Sequence, residues 1–363
     1  MLYRTYGKTG RTVSAIGFGA MRFANPTCAE ASVETMLRAH ALGINYFDTA
    51  PHYCDDLSED IVGRGLCQLP RGSFHVATKS AHHDGREVRE QLERSRDRLR
   101  VNRIDFFHVW CLMDWADWEA RRKGGAVEAA LRARQDGLVA HLVCSSHMPG
   151  DVLERLLAEG IFEGVTLGYN AINFPYREQA VRAAGAHGLG VVAMNPLAGG
   201  VIPRNSERFG FLQDGGSVLA GALRFVAGDP DITSALVGFA DTAQVEQAVH
   251  AIQGFAGYGK HRLNALRQQI EVGFDGLCTG CRYCLPCPQG IPVPQYMDVA
   301  NQVLLGNNDP VLATDRFRWH WQITEDLAAR CNACGDCEAR CTQHLPIQDR
   351  LRSLPVPRTA SEA

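Results

Sequence analysis

Charge of one sign is scarce in this chain. Its 37 lysines and arginines nearly balance 40 aspartates and glutamates, leaving a net −3. Nonspecific binding to nucleic acid needs a basic face, so a nucleic-acid partner is not expected. Long apolar runs are missing as well. No uninterrupted stretch reaches transmembrane length, and no membrane partner is expected. The opening MLYRTYGKTGRTVSAIGFGAM lacks the apolar core of a signal peptide and reads as an amphipathic β-hairpin. No repeat at the roughly 20–50-residue period of solenoids and propellers is present, nor any flavin motif. Cysteine, by contrast, is abundant. Thirteen cysteines without an export signal read as reduced thiols held for metal, which points to the cytoplasm. The composition, 45% hydrophobic and 21% charged, is that of an ordinary globule, and 363 residues suffice for one large and one small domain.

Eight of the cysteines fall in two runs, Cys278-Cys281-Cys284-Cys287-Pro288 and Cys331-Cys334-Cys337-Cys341. Zinc takes four ligands, usually as two separated pairs, and has no use for a third closely spaced cysteine. Three thiolates at successive two-residue spacings suit three irons of one cubane, the fourth ligand arriving from elsewhere. In two-cluster bacterial ferredoxins that fourth cysteine comes from the opposite run. The expected ligand sets are therefore Cys278, Cys281, Cys284 and Cys341 for one 4Fe–4S cluster. Cys331, Cys334, Cys337 and Cys287 serve the other. Structural zinc and disulfides are the blander alternatives. Thr342 stands where ferredoxins usually place proline. Cys28, Cys54, Cys67, Cys111 and Cys144 show no ligand spacing and read as ordinary thiols.

From residue 16 to about 250 the hydrophobic pattern alternates between strand and helix periods. Helices are expected at 29–42, 59–66, 87–100, 125–136, 150–158, 177–187, 217–227 and 242–252. Strands are expected at 16–19, 44–48, 74–79, 104–110, 140–144, 165–169, 190–194 and 234–237. About eight β/α units in about 250 residues favour a (β/α)8 TIM barrel over an open sheet. The barrel is assigned to 1–260, and a small, mainly α-helical, ferredoxin-like iron–sulfur domain to 261–363, ending in a loose tail. Barrel chemistry sits at the C-terminal ends of strands. Those ends read Asp48, Lys79, Trp110, Ser145, Tyr169 with Asn170, Asn195 and Gly238, and Tyr53 follows Asp48 in the next loop. A phenol titrates near 10, too high for neutral pH, unless a neighbouring ammonium favours its anion. Tyr53, Lys79 and Asp48 together thus make a proton-transfer site. Singly, they read as an ion pair and a rim aromatic.

The stretches YRTYGKTGRTVSAIGFGAM, FDTAPHY, VATKS and VVAMNPLAGG resemble the aldo-keto reductases, and SALVGFADTAQVEQAV is similar to that family's late nucleotide-binding segment. CTGCRYCLPCPQGIPVP and CNACGDCEARCTQHLPI resemble the C-terminal module of its iron–sulfur branch. The resemblance implies a (β/α)8 barrel, a nicotinamide in extended form at the strand ends, and reduction of aldehydes or ketones. It implies Tyr53 as general acid, tuned by Lys79 and Asp48. Ser145 and Asn170 fall near the nicotinamide ring, and Asn195 and Gly238 complete the expected cofactor set.

Three departures accompany it. The family's catalytic histidine registers on Trp110, with His108 two residues earlier and facing the same side of the strand. His108 reads equally as a site residue or a hydrogen-bonded core histidine. Thr166 takes the place where a glutamine commonly engages the nicotinamide carboxamide. The segment after Gly238 offers Asp241 and no cation, which favours NADH over NADPH. Trp110, Trp115 and Trp118 cluster in sequence, as a stacking wall or as an apolar plug. His52 and His147 are within sequence reach of the site.

Three functions are compatible with this pattern. The first is an iron–sulfur oxidoreductase acting on a small carbonyl or polyol, with an external electron carrier as partner. The second is a redox-neutral dehydratase, in which a cluster lends one electron to form a ketyl radical. The third is a non-enzymatic redox sensor or electron carrier, against which intact Asp48, Tyr53 and Lys79 argue.

Overall fold

The computed structural model describes residues 1–213, 215–269, 276–306, 309–323 and 325–354. The tail from 355, read above as loose, lies outside the described residues. The chain divides into two compact units: one holds Met1–Leu197 and Phe211–Gln269, the other Ala198–Gly210 and the described residues from Gly276 onward.

In the first unit, strands β1 (Tyr3–Thr5) and β2 (Thr12–Ser14) pair as an antiparallel hairpin. Eight parallel strands follow: β3 (Ile16–Gly19), β4 (Tyr46–Asp48), β5 (His75–Ser80), β6 (Ile104–Leu112), β7 (Val139–Ser146), β8 (Gly164–Gly168), β9 (Gly190–Met194) and β10 (Ser234–Gly238). They close into a barrel in chain order, β10 pairing with β3 through Ala235 opposite Ile16. The helices between them are α1 (Ala29–Ala41), α2 (Ser58–Leu66), α3 (Gly85–Leu99), α4 (Trp115–Lys123), α5 (Ala126–Gln135), α6 (Gly150–Leu157) and α7 (Phe174–His187). After the short α8 (Val201–Arg204) of the second unit come α9 (Val218–Ala227), α10 (Thr242–Ile252) and α11 (Lys260–Gln268). This is the (β/α)8 architecture that the strand count implied.

Local chemistry starts and stops these helices. The Asp84 carboxylate accepts from the Arg86 and Glu87 amides at 2.9 and 3.1 Å, capping α3, and Arg100 ends it in the left-handed region. Val88, Leu92 and Leu99 face the barrel along one stripe. Helix α4 was not expected from sequence. It buries only Trp118 and Arg121, so its apolar periodicity is thin, although the Asp114 cap on the Asp117 amide at 2.8 Å is a legible start signal.

One end of the barrel is stoppered by the hairpin. The Tyr6 ring is fully buried, 4.3 Å from Phe106 between centroids, in a cluster with Val13, Tyr46, Val143 and Val192. A Cβ at Gly190 would stand 2.1 Å from that ring, and one at Gly164 2.4 Å. Those glycines open β9 and β8, so Tyr6 occupies the N-terminal end and leaves the C-terminal end as the mouth.

The second unit is mainly helical, with α12 (Val293–Leu305), α13 (Pro310–Asp315), α14 (Asp336–Ala339) and α15 (Ile347–Ser353). Its own core joins Tyr296, Met297, Phe317, Ile347 and Leu351, with Cys278, Cys284, Cys287, Cys331 and Cys337 packed against it.

Candidate active site and metal centre

Strands β4 and β5 are neighbours, so Asp48 and Lys79 meet where both strands end at the mouth. Lys79 Nζ donates to Asp48 Oδ1 at 2.5 Å and to the Thr49 carbonyl at 2.7 Å. The same nitrogen stands 5.3 Å from the centroid of the Tyr53 ring. Lys79 and Asp48 are almost wholly buried, and Asp48 Oδ2 has no protein partner. Burial is the larger influence on both groups, raising the Asp48 carboxyl and lowering the Lys79 ammonium, while each opposite charge pulls its partner back. The arrangement places a held cation against a half-buried phenol.

The loop carrying Tyr53 is bent hard. His52, Cys54, Asp55 and Asp56 all have positive φ, between 54° and 69°. Non-glycine residues pay for that region by roughly 1–2 kcal/mol each, so surrounding contacts must impose it. Asp56 provides them, its two carboxylate oxygens each 2.8 Å from Arg98 of α3. That pairing holds the Asp56 carboxyl below its usual range. Ser58 Oγ bonds the Ala20 carbonyl and the Thr49 hydroxyl, both at 2.7 Å. Buried Glu59 accepts from the Thr78 hydroxyl at 2.6 Å, beside Lys79. None of these supports was read from sequence.

His108 is Lys79's register partner on β6 and is fully buried. Its Nδ1 faces the Thr78 carbonyl at 3.3 Å, and Nε2 lies 2.9 Å from Thr166 Oγ1. A carbonyl only accepts, so Nδ1 carries the hydrogen and the Thr166 hydroxyl donates to Nε2. Burial, then the Lys79 charge, pushes this imidazole well below 6.5, consistent with the neutral tautomer. Trp110 sits where β6 breaks register between Val109 and Leu112, with Cys111 at φ 60°. The bulge sets the Trp110 ring edge-on to Tyr53, 5.6 Å between centroids at 84°. Trp115 instead faces Arg155, and Trp118 packs on Phe162, so neither joins Trp110 at Tyr53.

Ser145, the penultimate residue of β7, is buried. The Asn170 amide is committed at both ends, donating to the Asn195 carbonyl at 2.9 Å and accepting from the Ile172 and Asn173 amides. Asn195 has φ 61°. Exposed Gly238 closes β10, and a Cβ there would meet the Arg22 side chain at 2.7 Å. Asp241 caps α10 by accepting from the Gln244 amide at 2.9 Å. The Arg22 side chain, from the loop after β3, thus passes this strand end. The Asp241 carboxylate, read above as unfavourable to NADPH, also serves a helix start.

In the second unit, Cys278, Cys281, Cys284 and Cys341 line one cavity. Cys284, Cys287, Cys331, Cys334 and Cys337 line another. None of the 13 cysteines is in a disulfide. No group of three or more His, Cys, Asp or Glu among the described residues is placed to hold one metal ion. A cubane gives each thiolate its own iron, so its ligands need not converge on one point. Asn301, buried on α12, clamps the Cys278 backbone by accepting from its amide and donating to its carbonyl, each at 2.7 Å. This residue carries no local sequence signal.

Residues 15–211, more than half of the chain, match the model of the Aldo/keto reductase family. The chain belongs to the aldo/keto reductase family. Residues 277–346 match a 4Fe-4S dicluster domain, so this aldo/keto reductase carries an iron–sulfur module C-terminal to its barrel in the sequence. It is similar to L-galactose dehydrogenase of Arabidopsis thaliana, 26% identical, over 70% of this chain and 89% of that protein. A D-threo-aldose 1-dehydrogenase of a Pseudomonas species is 30% identical over 54% of this chain and 64% of its own. Among solved structures, an aldo-keto reductase from Bacillus halodurans in its holo form superposes with a TM-score of 0.64. It shares 21% identity and covers 74% of this chain and 96% of its own, which speaks to the fold. Within this aldo/keto reductase, no described helix is long and apolar enough to cross a membrane.

Proposed function

We propose that this aldo/keto reductase interconverts a small polyhydroxy carbonyl compound and its alcohol or polyol in a reducing, cytoplasmic setting. Its iron–sulfur module would exchange single electrons with an external carrier. The Lys79 ammonium, held by Asp48 against the face of Tyr53, carries the proposal. In the reducing direction the Tyr53 hydroxyl gives its proton to the substrate oxygen. The adjacent ammonium stabilises the phenolate left behind, and Asp48 keeps that ammonium charged and in place. In the oxidising direction the phenolate takes the proton back. The strained loop and the Trp110 edge fix the ring, and two relatives named as sugar dehydrogenases support the substrate class.

A bound nicotinamide supplies or accepts the hydride. The residues fit it in part: the Ser145 hydroxyl is available to its carboxamide, whereas the Asn170 amide already braces the Asn195 turn. The Arg22 methylenes pass beside Gly238, and Asp241 caps α10 beyond it. Two 4Fe–4S clusters would supply one-electron transfer, and the cavity linings, which share Cys284, support the crossed ligand sets.

The test is an anaerobic titration of cluster-reconstituted protein with NADH and then NADPH, followed by turnover of an aldose. Binding of either nucleotide, with turnover falling about 10²–10⁴-fold in Tyr53→Phe, is expected. No binding of either, with clusters still reducible by dithionite, would overturn the reading.

One observation keeps a second reading in view. Trp110 supplies no titratable proton and His108 is sealed below the mouth, which also suits a redox-neutral dehydratase. There an electron enters a carbonyl, a β-hydroxyl leaves, and the electron returns. Strict dependence of turnover on an intact cluster would select it.

A further inference from the structure

The two groups of cysteines sit in different electrostatic surroundings. Around Cys278, Cys281, Cys284 and Cys341, the sulfurs are met by donors. The Gly280 amide donates to Cys278 Sγ at 3.4 Å, and the Leu345 amide to Cys341 Sγ at 3.4 Å. The buried Thr342 hydroxyl lies 3.5 Å from Cys281 Sγ. That is the position where the ferredoxin pattern has proline, which brings no donor. Thr279 Oγ1, lining the same cavity, is buried without a protein partner.

A cation completes the set. Arg350 on α15 donates through Nη2 to the Gly276 carbonyl at 2.7 Å, while its Nη1 is buried with no protein partner. Cys278 and Cys341 are the groups whose negative charge would favour the charge on Arg350. Arginine stays protonated even when desolvated, so this is a fixed positive charge. Arg282 also lines this cavity. The other group has backbone donors too, at Cys337, but its charged neighbours are acidic. Cys337 lies beside the Glu338 carboxylate, which the Gln348 amide and side chain hold at 2.8 and 3.1 Å, and Asp336 lines the cavity.

Reducing a cluster adds one negative charge. Hydrogen bonds to its sulfurs and nearby cations stabilise that charge, whereas carboxylates oppose it. We propose that the two clusters differ in reduction potential, the one on Cys278, Cys281, Cys284 and Cys341 being the easier to reduce, and that Thr342 and Arg350 set the difference. The inference rests on the two-cluster reading above. An electron arriving on the cluster that Cys287, Cys331, Cys334 and Cys337 would hold would then pass to the other. One cluster is oxidised and one reduced by a single electron, with no proton or further reactant.

The full-length protein would be reconstituted anaerobically, its iron and sulfide counted, and its EPR signals followed through a dithionite titration. Wild type should show two separate one-electron steps. Thr342→Val, which keeps the shape and loses the hydroxyl, should lower the upper midpoint and leave the lower one in place. Arg350→Gln should do the same more strongly, and Arg350→Lys should restore most of the shift. If Arg350→Gln fails to load iron, Thr342→Val decides. A single shared midpoint, an unmoved upper midpoint, or movement of the lower one instead overturns the inference. Iron and sulfide for only one cluster in wild type overturns the two-cluster reading itself, which is a separate result.

Discussion

His108 is a buried imidazole with a partner at each ring nitrogen. Burial, and then the charge of its strand neighbour Lys79, disfavour its protonation, while the Thr78 carbonyl pulls the other way. A buried base with a depressed pKa binds fewer protons folded than unfolded. Stability is therefore full above the unfolded value near 6.5 and falls as the pH drops below it. The expected contribution is about 1.4 kcal/mol per pH unit below that point, down to the folded pKa. Urea melts of wild type and His108→Gln at pH 8 and pH 5 measure it. The variant should lose less stability between the two pH values, and equal losses would remove His108 from the account. Tyr53 is different in kind, since its ring is half-exposed and held by a cation and an aromatic edge, ready to meet a ligand.

At the scale of elements, the mouth is built by irregularities at the ends of regular strands. The bulge closing β6 turns Trp110 onto Tyr53, and the positive-φ run after β4 lifts Tyr53 over Lys79. Helix starts hold the next layer. Asp241 belongs to this layer as the cap of α10, with its carboxylate on the Gln244 amide. Asp241→Ala should cost about 1 kcal/mol of stability, as loss of an N-cap does, while leaving the ratio of NADH to NADPH affinity unchanged. Denaturant melts and nucleotide titrations read the two halves of that prediction. A marked swing towards NADPH would restore the carboxylate as a specificity element.

The whole molecule has two cores of unequal means. The barrel buries apolar strands and a tyrosine stopper, whereas the second unit has a small apolar core with cysteines packed against it. Small units of that kind lean on their metal for folding free energy. Removing iron with an oxidant and chelator should abolish a calorimetric transition belonging to residues beyond 276. The barrel transition should remain. Loss of both together would mean that the barrel does not fold independently of the clusters.

Much of this was legible in the chain itself. Alternating strand and helix periods repeat within windows of a few residues, so the eight β/α units could be read locally, as could the cysteine runs and the Tyr53, Lys79 and Asp48 pattern. Helix α4 escaped because a nine-residue helix burying two side chains leaves little periodic signal. Other features depend on closure of the fold. Arg98 holds Asp56 from 42 residues away, Thr342 reaches Cys281 across 61, and Arg22 stands at Gly238 only because β3 and β10 seal the barrel. Sequence alone determined the kinds of element and the kinds of ligand. Tertiary structure decided which distant charges and hydroxyls surround them, because through-space neighbours are set by barrel closure and packing, not by spacing along the chain.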